Sequence, residues 1–185
     1  MVLRRMHPAD VNPFLSYRSD AVVAQYQGWD LMTTQQATAF ISTMQAMHTL
    51  QPDGWLQISV ALADTDELLG DIGLHLLPCQ PVLHLLPSQS GLHPLPSSSA
   101  SVEVGFSFAQ ESQGKGYASE ALRGLIRSLS SRHSIDRIEA TTDTRNTRCI
   151  QLLKKLGFSL VRTHEAVMFK GELCTEETYE KHVVP

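Results

Sequence analysis

One stretch constrains this chain more than any other: SVEVGFSFAQESQGKGYASEAL, residues 101–122. It opens with a period of two. Val102, Val104, Phe106 and Phe108 point one way and Glu103, Gly105 and Ser107 the other, which predicts a half-buried strand. It closes with a helical period, Ala118, Ala121 and Leu122, continued by Leu125, Ile126 and Leu129. Gly114 and Gly116 lie between. A glycine turn between strand and helix lets a ligand approach the backbone closely. It also aims unpaired amide N–H groups and the positive helix end at one spot, which makes an anion site. A pyrophosphate is the natural guest, and a plain helix start with a flexible turn is the bland alternative. Two better-known phosphate motifs do not fit. The nucleotide-binding GxxxxGK[ST] loop fails because Gly116 follows Lys115. The dinucleotide-binding GxGxxG fails because Ser119 holds its last glycine position.

The flanking segments set the fold class. Residues 2–6 read as a short strand. In LMTTQQATAFISTMQAMHTL, Thr33 and Gln36 match a capping box, and Ala37, Phe40, Ile41 and Met44 follow at helical spacing. Leu56, Ile58, Val60 and Leu62 alternate in one strand, and Ile72, Leu74 and Leu76 in the next, with His75 on the opposite face. After the central helix, residues 134–142 read as a strand. NTRCIQLLKKLGF reads as a helix with Cys149, Leu152, Leu153 and Leu156 on one face and Gly157 as its left-handed cap. Two strand-like pieces, 159–163 and 165–170, come next, and a third closes the chain. Hairpins before the central helix and strand–helix units after it predict an α+β (mixed α/β) fold.

Composition removes several function classes. The 185 residues suit one domain, 1–185, and a hydrophobic share of 42% with 18% charged residues is ordinary for a soluble globular protein. A net charge of −4 argues against non-specific nucleic-acid binding. Cys79, Cys149 and Cys174 are odd in number and form no CxxC pair, which argues against a disulfide framework and a zinc ribbon. The expected compartment is the reducing cytoplasm. The N-terminus shows no signal-peptide pattern, and no apolar run is long enough to span a membrane.

Gln113-Gly114-Lys115-Gly116-Tyr117-Ala118 matches the Q/R-x-x-G-x-G/A signature of the GNAT N-acetyltransferase family. LLGDIGL, VEVGFSFAQESQGKGYASEAL and RIEATTDTRNTRCIQLLKKLGF resemble that family's core segments in order and spacing, and YQGWDLMTTQQATAFI suggests its RimJ/RimL-like branch. The resemblance implies a GNAT-type fold, a central mixed, mostly antiparallel sheet flanked by helices. It implies acetyl-CoA as acyl donor and no metal. Carried over, Gln113, Gly114, Lys115, Gly116, Tyr117, Ala118 and Ser119 hold the cofactor pyrophosphate. Phe106, Ser107 and Phe108 bind the pantetheine arm, and Asn146 lies beside the cofactor. The implied reaction is direct acetyl transfer to a primary amine, a protein N-terminus or a small molecule, in a ternary complex. Glu103 resembles the family's general base, with a structural carboxylate as the alternative. Many relatives have a tyrosine where this chain has Leu153, and the RimJ/RimL-like pattern often has a serine where this chain has Cys149. Cys149 is thus a candidate proton donor to the departing thiolate, with packing against the cofactor the more ordinary role. These departures leave open a catalytically weak acyl-CoA-binding module that acts as sensor or regulator. A monomer and a homodimer fit equally well.

Residues 74–96 repeat in nines, LHLLPCQPV, LHLLPSQSG and LHPLPSSSA in the full run, and space His75, His84 and His93 evenly. Three units are too few and too rich in proline and serine for a solenoid, and the spacing imposes no convergence on the histidines. The segment reads as a duplicated insertion, about 77–100, between two strands. Its first unit, up to Pro78, is expected to belong to a strand end.

Overall fold

The computed structural model describes residues 1–50, 54–78, 100–132 and 135–183. Seven strands form one sheet in the order β1-β2-β3-β4-β5-β7-β6: β1 Val2–Arg5, β2 Trp55–Ala61, β3 Leu68–Leu77, β4 Ala100–Phe108, β5 Ile135–Asp143, β6 Ser159–Phe169 and β7 Glu172–His182. All neighbours are antiparallel except β4 and β5. Five helices flank the sheet: α1 Val11–Arg18, α2 Ala21–Ala24, α3 Thr34–Ala46, α4 Tyr117–Arg132 and α5 Thr147–Lys155. The expected mixed, mostly antiparallel sheet is what the chain forms.

Local signals account for most of these elements. Thr33 and Gln36 make the reciprocal capping box, with the Gln36 N–H donating to Thr33 Oγ1 and the Thr33 N–H to Gln36 Oε1. Ala37, Ile41 and Met44 are the buried face of α3. Gly157 ends α5 at φ +83°, a conformation that favours glycine. The two expected strand pieces around residue 164 are one strand, β6. The interruption is a bulge between His164 and Val167, with Ala166 at φ +55°.

α1 and α2 do not stand out from the sequence, because tertiary contacts hold them. Arg18 is buried with its Nη2 donating to Asp71 Oδ2 at 2.6 Å, and its guanidinium lies 3.9 Å from the Trp29 ring and 4.5 Å from the Phe14 ring. The Tyr17 hydroxyl donates to the other oxygen of Asp71.

The two faces of the sheet therefore differ. On one, α4 and α5 lay Ala121, Leu122, Leu125, Leu129 and Leu153 against Val102, Val104, Ile138 and Ala140. The other holds α1 and α3, and its contacts include two buried acids: Asp71, and Asp10, which accepts from Arg4, the His7 N–H and Ser59. Leu74–Leu77 pair with Val104–Ser101, so the start of the repeat is indeed strand. Leu77 closes β3 and Ala100 opens β4, while the rest of the repeat, with Cys79, His84 and His93, lies outside the described residues.

Candidate active site

The site begins where β4 and β5 stop pairing. Their parallel register runs only from Ala100 and Ile135 to Glu103 and Glu139. Beyond it β4 stays bonded to β3, Val104 to Leu74 through Phe108 to Gly70, but no longer to β5. The result is a cleft of about 1100 Å³ lined by Gly105–Phe108 of β4, Thr141 and Thr142 of β5, the loop into α4, and the first turns of α5.

Gly114 and Gly116 adopt φ +75° and +86°, and a Cβ on either would meet nothing within 4 Å, so backbone conformation and not crowding selects glycine there. The first backbone hydrogen bond of α4 runs from the Glu120 N–H to the Gly116 carbonyl. The amides of Tyr117, Ala118 and Ser119 precede it and face no intrahelical acceptor. Gln113 fixes the loop at both ends: its Nε2 donates to the Phe108 carbonyl at 3.0 Å and its Oε1 accepts from Arg148 at 3.4 Å. The helix N-terminus, these amides and the Arg148 cation make a site suited to a phosphorylated anion.

Of the residues singled out from sequence, Phe106, Ser107, Phe108, Gln113, Gly114, Gly116, Tyr117, Ala118, Ser119, Asn146 and Cys149 all line this cleft. The Lys115 residue is exposed and lies outside the lining. Glu103 stands two residues before the first lining residue of β4, Gly105, on the same strand face.

Asn146 is the N-cap of α5. Its Oδ1 accepts from the Cys149 N–H at 3.3 Å and its Nδ2 donates to Thr142 Oγ1 at 3.2 Å, so its amide ties α5 to β5 at the edge of the cleft. Burial pushes the Cys149 thiol up to about 11, against a smaller opposing pull from Thr142. It is a neutral thiol at physiological pH and a weak hydrogen-bond donor, not an activated nucleophile.

Burial, first of all, raises the Glu103 carboxyl above its ordinary range, and the neighbouring Glu139 adds to this, while His75 and the Thr141 hydroxyl pull the other way. A raised carboxyl is better matched to taking a proton near neutral pH. Among the described residues no three His, Cys, Asp or Glu side chains converge as metal ligands, and no helix is long and apolar enough to cross a membrane.

Several lining residues escaped the sequence reading. Arg148, Gln151, Leu152 and Lys155 recur at i, i+3, i+4 and i+7 along α5, a helical stripe that periodicity reveals only once the helix is known to border a cleft. Tyr26 and Gln27 come from the segment after α2, and Gln27 Nε2 lies 3.4 Å from the Phe106 carbonyl. They open the YQGWDLMTTQQATAFI segment that carries the branch resemblance, but nothing in it points to a cleft on β4.

Comparison with known proteins agrees with this geometry. Residues 1–159 match the family model of the acetyltransferase (GNAT) domain. An uncharacterised N-acetyltransferase of Bacillus licheniformis, p20, is 28% identical over 178 residues, covering 94% of this chain and 87% of that protein. The fold is similar to spermidine N-acetyltransferase from Vibrio cholerae, solved with CoA and spermine, at a TM-score of 0.73 and 14% identity, covering 98% of this chain and 94% of the other. It is also similar to RimL, the ribosomal L7/L12 α-N-protein acetyltransferase solved with coenzyme A, at a TM-score of 0.73 and 14% identity, covering 98% and 93%. The chain belongs to the GNAT acetyltransferase family and is an N-acetyltransferase.

Proposed function

We propose that the protein transfers the acetyl group of acetyl-CoA directly to a primary amine, with both bound together in the β4–β5 cleft. The observation that carries this reading is the divergence of β4 from β5 beside the open N-terminus of α4. The amides of the Gln113–Ser119 segment take the pyrophosphate, and Arg148 and Lys155 border its phosphates. The β4 edge from Phe106 to Phe108 takes the pantetheine arm, which aims the thioester toward Glu103. Bound acetyl-CoA supplies an activated thioester.

The protein's part is to orient the amine and remove its proton. An α-amino group has a pKa near 8 and a lysine amine one of about 10.4, so a lysine-like acceptor needs more help from a base. Glu103 is the residue for that task, directly or through a water. Cys149 packs against the cofactor and is dispensable as a proton donor, since a thiol of ordinary pKa, near 8.5, is a tolerable leaving group. The acceptor belongs to the amines that the similar proteins act on, a polyamine such as spermidine or a protein N-terminus. The chain acts as one domain, with 77–100 as an inserted segment.

Steady-state kinetics over a panel of spermidine, alanyl peptides, free amino acids and aminoglycosides tests this reading. With any acceptor found, Glu103→Gln is expected to lower kcat by about 10²–10⁴-fold with KM for acetyl-CoA little changed. Cys149→Ala is expected to keep measurable activity. Full activity in the first variant, or a several-hundredfold loss in the second with acetyl-CoA binding intact, would overturn the corresponding role.

A further inference from the structure

Glu103 sits in a transverse row of side chains that the register aligns across four strands. Trp55 of β2 pairs with His75 of β3, His75 with Glu103 of β4, and Glu103 with Glu139 of β5. The His75 ring stacks on the Trp55 indole with centroids 5.3 Å apart and planes 23° from parallel. Its Nδ1 lies 3.8 Å from Glu103 Oε2. That separation is too long for a hydrogen bond but close enough for a protonated ring to stabilise a carboxylate.

Two register pairs further along, on the same face, Gly73 stands opposite Gly105, and the indole needs the first of them bare. A Cβ at Gly73 would meet Gln57 Nε2 at 2.7 Å and Trp55 Cε3 at 2.9 Å, and one at Gly105 would lie 3.6 Å from Trp55 Cζ3. The indole thus lies over a strip of bare backbone, with the imidazole stacked on it and Glu103 on the next strand.

We infer that His75, clamped by Trp55, is a positioning residue that orients the Glu103 carboxylate and sets the pH above which it serves as base. The inference rests on the reading of Glu103 as the base. Among the described residues, the groups that face the pair come from β2 and β5, with Glu180 of β7 beside Glu139. From β2 come Trp55 and Gln57, neither charged. From β5 come Glu139 and the Thr141 hydroxyl. Glu139 is held by Arg162 at 2.5 Å and by Arg137 at 3.5 Å, which also reaches Glu180, so among the described residues His75 is the ionisable nitrogen that stands beside Glu103. Protonated His75 lowers the proton affinity of Glu103, and an uncharged replacement gives that up.

The test is a pH titration of protein labelled with ¹³C at the glutamate carboxyls, with Glu103→Gln assigning the signal. In His75→Gln the Glu103 midpoint is expected to move up by about one pH unit, a tenfold gain in proton affinity. In His75→Lys, which keeps a cation, it is expected to return toward the wild-type value. With whichever amine of the panel is turned over, the acid limb of kcat/KM should shift by the same amount in His75→Gln, so that activity is lost on the acid side of the profile and kept on its alkaline side. His75→Asn and a cooperative urea transition for each variant guard against loss of fold. A Glu103 midpoint unmoved in both His75→Gln and His75→Asn would overturn the inference and leave Glu103 as a base without this partner. Full activity of Glu103→Gln with a midpoint that still moves would instead overturn the base reading beneath it.

Discussion

The two faces of the central sheet are built by different chemistry. Under α4 and α5 the contacts are apolar, with Leu122, Leu125 and Leu153 on Val102 and Ile138. Under α1 and α3 the buried groups include Asp71, satisfied by Tyr17 and Arg18 far away in sequence, and Asp10, satisfied by the nearby Arg4 and His7 and the distant Ser59. An apolar face tolerates rearrangement because dispersion and burial have no direction. A face with buried charges tolerates little, since removing one partner strands the other. The polar face is also where Glu103, His75 and Trp55 stand, so the chemistry proposed for the enzyme sits on the side whose geometry is most strictly held.

Breaking the buried ion pair should give the largest effect. Asp71→Ala leaves Arg18 without its carboxylate and is expected to cost about 3–5 kcal/mol by urea denaturation. The double variant Arg18→Met/Asp71→Leu should recover most of that loss, because it removes both charges together. If single and double variants lose the same amount, the pair does not define this face.

On the apolar side, Leu153→Ala empties a fully buried position and is expected to cost about 2–5 kcal/mol through lost burial and a cavity, with no change in pH dependence. Asp10 supplies the contrast. Burial raises its carboxyl, but the hydrogen bonds from Arg4, the His7 N–H and Ser59 outweigh this and hold it below its ordinary value of 3.8. A depressed carboxyl stabilises the fold above its unfolded pKa and loses that contribution as acid protonates the folded state. Asp10→Asn should therefore be less stable than wild type at pH 7, and the gap should close on acidification below about pH 4. A gap that stays constant with pH would mean that shape, not charge, is what Asp10 provides.

The smallest effect on stability is expected at Glu103. Its carboxyl is raised, so ionising it at neutral pH opposes folding, and Glu103→Gln should melt slightly higher at pH 7 with the difference vanishing in acid.

What was legible in the sequence follows the same division. Period-two and helical spacing exposed β2, β3, β4, α3, α4 and α5, because each sets its large apolar side chains on one face at a regular interval. The glycine turn before α4 was legible because Gly114 and Gly116 are demanded by local backbone conformation. α1 and α2 were not, since Arg18 on Asp71 and the rings of Phe14 and Trp29 leave no periodic trace. Nor were Tyr26 and Gln27, which reach the cleft only after the chain folds over β4. The Trp55–His75–Glu103 row was hidden for a related reason: register across three strands brings it together, and His75 read from sequence as the first histidine of a repeat.

The most direct measurement of the central claim is a calorimetric titration of acetyl-CoA into the wild-type protein and into Gly116→Ala, both shown to unfold cooperatively. Gly116 sits at φ +86°, so alanine there strains the turn by roughly 1–2 kcal/mol and misdirects the amides of the α4 N-terminus. One-site binding in the micromolar range that weakens at least tenfold in the variant is the expected result. No binding to the folded wild type, or equal affinity in both proteins, would contradict the cleft between β4 and β5 as the place where acetyl-CoA is held.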